Sequence, residues 1–105
     1  LAQGDMQQAL NILKVKSDTA NKDYQALVAA TAQQLGDNQT ALAAYHQLTL
    51  IEPQTGRWWL GMAIAFDRST EYEKAKQAYQ MAIAQRGLSA ESLAFAQQRL
   101  SELGE

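Results

Sequence analysis

The sequence contains no cysteine, which excludes disulfides, thiolate metal sites and thiol nucleophiles while leaving the compartment open. Charge of either sign is nearly balanced: the formal net charge is −2, so there is no basic footprint and a nucleic-acid partner is not expected. The longest apolar run, Trp58 to Phe66, is nine residues, far short of the ~20 residues a membrane helix needs. No membrane contact is therefore expected from this segment itself. G-x-S-x-G, a glycine-rich phosphate loop and zinc-ligand spacing are all missing. These absences point to a chain that is not an enzyme and carries no cofactor or metal. There is also no initiator Met and no signal peptide. Leu1-Ala2-Gln3-Gly4-Asp5 reads as the end of one helix, a turn and the start of another. The expectation is a segment of a longer protein, with any anchor or targeting signal elsewhere.

What is present is helical. Apolar residues make up 47% of the chain, few are β-branched, and Ala, Gln and Leu are abundant, which predicts an all-α domain. The stretch Gly56 to Ala82 organises it. Trp59, Met62, Ala63 and Phe66 recur at i, i+3, i+4 and i+7, and Tyr72, Ala75, Tyr79 and Ala82 form a second helical stripe. Asp67 to Glu71 is long enough only for a turn, so the two stripes face each other in a hairpin, small residues against large. Helices are predicted over about 5–16, 22–35, 38–51, 55–68, 70–86 and 90–103. Asp18 or Thr19, Asp37 or Asn38, Ser69 or Thr70, and Ser89 are the expected N-caps. Glu52-Pro53 stops one helix, and Gly87 ends another.

The hairpin has an upstream copy. Thirty-four residues before Ala75 and Tyr79 stand Ala41 and Tyr45, and the same step carries Ala63 to Ala29 and Met62 to Val28. That period with helix-turn-helix content is the tetratricopeptide (TPR) signature, and the sequence resembles TPR proteins. Two departures stand out. Trp58-Trp59-Leu60-Gly61 is out of register with the family's W-x2-L-G, whose L-G pair falls on Met62 and Ala63. The second copy ends in Gly87 where the family usually has Pro. The resemblance implies a right-handed α-solenoid of antiparallel hairpins forming one TPR domain over 1–105. It divides into a partial repeat over 1–21, repeats over 22–55 and 56–89, and a capping helix over 90–105. Leu93, Ala96, Leu100 and Leu103 form the apolar face of that last helix.

Candidate sites are few. His46 has no acidic residue one turn away and reads as a surface residue. Glu71 and Glu73 open a helix, where the dipole favours negative charge. Trp59, Phe66, Tyr72 and Tyr79 read as core. Trp58 points about 100° from Trp59, so it either wedges against the preceding helix pair, over Gly61, or stands partly exposed as an interaction anchor. In TPR proteins the first helix of each hairpin lines a concave groove. By that resemblance the groove-facing residues are Asp23, Ala26, Ala30, Gln33 and Gln34, then Arg57, Leu60, Ile64, Asp67 and Arg68. Family modules that clamp a chaperone's C-terminal carboxylate use Lys, Asn and Arg at such positions. Ala26 and Ala30 argue against that clamp, and a peptide laid along Leu60 and Ile64 fits better.

A narrower resemblance rests on Tyr24-Gln25-Ala26-Leu27, the block Gly56 to Ala65, Gly87-Leu88-Ser89 and Ala96-Gln97-Gln98-Arg99-Leu100. These segments are similar to the C-terminal TPR region of MshN-type biogenesis proteins of the mannose-sensitive haemagglutinin (MSHA) type IV pilus. The resemblance implies a non-catalytic assembly scaffold with other pilus-assembly proteins as partners. It would lie on the periplasmic side of the inner membrane. The alternatives are a TPR adaptor of another complex, cytoplasmic or periplasmic, or the regulatory TPR segment of a longer enzyme. A half-repeat at the start also predicts a possible homo-oligomer.

Overall fold

A computed structural model describes residues 7–8 and 21–104. The described residues form five helices: α1 (Lys22–Leu35), α2 (Asn38–Ile51), α3 (Gly56–Arg68), α4 (Tyr72–Ala84) and α5 (Ala90–Glu102). Gln7 and Gln8 are helical. The rest of the helix expected over 5–16 and its Gly4-Asp5 turn lie outside the described residues, and the cap of α1 is Asn21, not the expected Asp18 or Thr19. The expected all-α class holds across the described residues, which contain no strand, only an isolated bridge between Thr55 and Arg86.

Local chemistry sets the boundaries. Asn21, Asp37 and Ser89 accept from the backbone N–H three residues on, at Tyr24, Thr40 and Ser92, which satisfies an orphan donor of the first turn. The turn Gly36-Asp37 joins α1 to α2. There Gly36 takes the left-handed conformation (φ 77°) and returns its N–H to the carbonyls of Ala32 and Gln33. The tail of α4 differs from expectation. The helix ends at Ala84, and Gly87 takes its positive φ of 102° beyond it, in the connection to α5. The cap of α4 is Glu71, not Ser69 or Thr70, and its side chain makes no capping bond. Thr70 itself is held at φ 62°.

Successive helices pack on one another. The ends of α1–α2 and of α3–α4 meet side by side, so each pair is an antiparallel hairpin. Lys22 reaches Glu52 at 3.1 Å, and the Gly56 N–H donates to the Arg86 carbonyl at 3.4 Å. These two closures stand 34 residues apart. So do the caps Asn21, Thr55 and Ser89 and the positive-φ residues Gly36, Thr70 and Gly104. Helix α5 thus stands in register with α1 and α3. It departs from them in side-chain chemistry: Ala29 and Ala63 are fully buried, whereas the corresponding Gln97 is exposed.

Two core clusters result. The first joins Val28, Ala29, Ala32, Ala41, Ala44, Tyr45 and Leu48 to Trp58 and Met62 of α3. The second joins Leu60, Ala63, Ala75, Ala78, Tyr79 and Ala82 to Ala96 and Leu100 of α5. Trp59 and Phe66 pack against both, which makes α3 the shared wall. One register position recurs where a helix packs on the hairpin before it. At Gly61 an added Cβ would run into the Tyr45 ring. Thirty-four residues on, Phe95 meets Tyr79 edge to face, with ring centroids 6.1 Å apart. The expected aromatic core needs one correction: Tyr72 is 47% exposed, because it opens α4 outside the contact with α3.

Candidate interaction surface

The expected groove is only partly a surface. Asp23, Ala30, Gln34, Arg57 and Arg68 are exposed, and Ala26, Gln33 and Ile64 are half-buried. Leu60 is buried at 9% exposure within the second cluster, and Ile64 packs against that cluster. The strip proposed for a bound peptide is therefore taken up by the protein's own packing. Of the two readings of Trp58, the wedge holds and the exposed anchor does not: it is 7% exposed and packs against the preceding helix pair, while Gly61 faces the Tyr45 ring. The indole packs into the first cluster, and its Nε1–H donates to Glu52 Oε1 at 3.0 Å. The Arg57 guanidinium lies 4.4 Å from its ring centroid.

Glu52 binds three groups at once. Besides Trp58 it accepts from Lys22 Nζ at 3.1 Å and from Thr55 Oγ1 at 3.4 Å. The Trp58 hydrogen bond, and then that of Lys22, holds the Glu52 carboxyl below its usual range. This ties the end of the first hairpin to the start of the second.

Asp67 forms a second knot. Arg99 of α5 grips it bidentately, Nε to Oδ2 and Nη2 to Oδ1, both at 2.7 Å, and Tyr79 Oη donates to Oδ2 at 2.9 Å. The Arg99 fork is the main reason the carboxyl sits below its ordinary value. Burial, with the Asp67 carboxylate alongside, pushes the Tyr79 hydroxyl up. Asp67, placed in the groove by resemblance, is thus committed to joining α3, α4 and α5.

The first hairpin repeats this contact without the charge. Tyr45 Oη donates to Gln33 Oε1 at 3.0 Å, in the register of Tyr79 and Asp67. Burial raises the Tyr45 hydroxyl, partly offset by the positive charge of Arg68. Arg68 and Gln33, with Gln34, Leu35 and Gly36, line an open cleft of about 570 Å³. Among the described residues Arg68 makes no ion pair or hydrogen bond.

A second recess, about 330 Å³, lies between α3 and α4 and is lined by Trp59, Met62, Phe66, Lys74, Gln77, Ala78 and Met81. Its lining is mostly apolar, with Met81 39% exposed at the rim. Sequence reasoning assigned Trp59 and Phe66 wholly to the core and missed this recess. It also missed the Arg99–Asp67 clasp. The Tyr45–Gln33 and Tyr79–Asp67 pairs have the same spacing one period apart, and that signal could have pointed to it. Among the described residues no group of three His, Asp or Glu side chains is gathered for a metal, and no helix is long and apolar enough to cross a membrane. Neither a protein-family model nor a curated protein matches the sequence.

Proposed function

We propose that this chain is a TPR-type α-solenoid module that binds other proteins without catalysing a reaction. One observation carries the reading. Caps, positive-φ turns, hairpin closures and the tyrosine contact all recur at a 34-residue interval, the period of the TPR hairpin. On this reading α5 closes the stack, since Gln97 puts a polar side chain where Ala29 and Ala63 receive a second helix. The cleft beside Arg68 and the recess at Met81 are two surfaces open to partners. The block Arg57-Trp58-Trp59-Leu60-Gly61, by its resemblance to MshN-type proteins, supports a scaffold role in assembling an MSHA-like type IV pilus, on the periplasmic side of the inner membrane.

The test is capture from detergent-solubilised membranes of a Gram-negative bacterium that makes such a pilus, with captured proteins identified by mass spectrometry. Arg68→Ala and Met81→Glu are the informative variants, because both positions are exposed and circular dichroism should show helicity retained. Capture of pilus-assembly proteins that one variant abolishes supports the scaffold reading and names the face. Capture of other soluble proteins alone leaves an adaptor for a different complex. A wild-type protein that captures nothing beyond the resin background overturns the interaction reading.

A further inference from the structure

We infer that the seat of α5 on the α3–α4 hairpin takes α5 from a second copy of this chain, so that two copies pair by exchanging their last helices. This goes beyond the scaffold role and does not depend on it. The second core cluster joins Leu60, Tyr79 and Ala82 of the hairpin to α5, which contributes only two buried side chains, Ala96 and Leu100. Each of the other four helices buries at least four residues, so α5 is the helix with least to lose on opening. One charged tie sets its register. The Arg99 guanidinium grips Asp67 at 2.7 Å, and the same carboxylate accepts the Tyr79 hydroxyl. The seat supplies Asp67 and Tyr79 and the helix supplies Arg99, so the tie forms equally well within one copy or between two.

The link between α4 and α5 is the one not locked as a turn. In each of the other three connections a backbone hydrogen bond closes the chain on itself. The Asp37 N–H donates to Ala32 at 2.9 Å, that of Thr55 to Glu52 at 3.1 Å, and that of Glu71 to Phe66 at 2.9 Å. Among the described residues no backbone bond joins 86–89 to α4; the Arg86 carbonyl instead accepts from Gly56, upstream of the hinge. Gln85 and Ser89 are extended, with ψ 161° at each. Between them Gly87 holds φ 102°, with open space where a side chain would stand. Glycine leaves that value for an extended one at no steric cost, and α5 then swings away with Leu88 as part of the exchanged segment. An identical seat offers every contact α5 makes at home, so exchange costs association entropy and no interaction. The tether holds a copy's own α5 at an effective concentration of about 1 mM. The closed monomer therefore prevails in dilute solution, and the exchanged dimer gains as that concentration is approached.

The experiment uses two charge-reversed forms of the whole chain, Asp67→Arg and Arg99→Asp, each checked for helicity by circular dichroism. Alone, each sets like charges together in the clasp, in its own molecule and in a homodimer alike. An exchanged heterodimer pairs opposite charges at both seats. Mixed in equal amounts, warmed to open α5 and cooled, the two should give a species of twice the monomer mass by light scattering. It should form at a concentration at least ~10-fold below that at which either parent dimerises, the equivalent of one charge-assisted contact. Gly87→Pro forbids the closed φ and removes no hydrogen-bonded N–H, so it should dimerise the chain at least ~10-fold more readily than wild type. Adding Arg99→Asp to it should reverse that gain. A mixture that stays monomeric, with Gly87→Pro monomeric too, overturns the proposal. So does a dimer that the parents form as readily as the mixture, since the clasp then has no part in it. Should either parent lose its helicity, Gly87→Pro decides: a dimer of wild-type helicity supports exchange, and a monomer overturns it. Partner capture tests the scaffold role separately and stands whichever way this result falls.

Discussion

Leu48 is fully enclosed, and truncating such a side chain removes its transfer energy and leaves a cavity. Leu48→Ala should lower stability by ~2–5 kcal/mol in a urea titration; a loss below ~1 kcal/mol would mean the first cluster can collapse around the gap. Asp67 governs the acid limb. Its folded pKa is depressed, chiefly by Arg99, so its stabilisation is complete above the unfolded value of about 3.9. That contribution is lost as pH falls through the folded value, and Glu52 acts in the same direction. Asp67→Asn should lower stability at neutral pH and flatten the decline below about pH 4. An unchanged acid profile would show that the Arg99 clasp does not hold in solution.

At the scale of elements, the turn between α3 and α4 is strained. Thr70 is the one non-glycine among the described residues with positive φ, and β-branching makes that conformation costly. Thr70→Gly should raise stability by ~0.5–1 kcal/mol, the relief outweighing the added freedom of the unfolded chain. A fall in the thermal midpoint would refute this. The sequence made the helices legible because their apolar stripes are long and their caps are Asp and Ser. It did not reveal Glu71 as a cap, since a Glu side chain makes no capping bond there and Ser69-Thr70 looked better suited. Gly87 suggested a helix end because glycine marks chain reversals generally; the positive φ it supplies falls three residues later than the last helical residue.

Across the molecule, α3 is covered on both sides, by α2 and α4, whereas α5 packs chiefly on α4. Hydrogen exchange should be slowest in the amides of α3 and adjoining α2, and faster in α5. Uniform protection through α5 would point to a more cooperative unit. This scale was the hardest to read in advance. Leu60 and Ile64 have the apolar character of a groove floor, and only their packing in and against the second cluster shows that α3 spends them on the core. Trp58 reads as either a wedge or an exposed anchor until it is seen packed against the first hairpin with its indole N–H given to Glu52.

The position facing each tyrosine has one more consequence. It holds no side chain at Gly61 and a phenyl ring at Phe95, while the corresponding Leu27 is 54% exposed. It works as a spacer whose thickness differs between the two tyrosine contacts. The advance per unit need not be constant, and a single codon can reset it. On the proposed solenoid reading, a change at this position would alter how a hairpin leans on the helix that follows it.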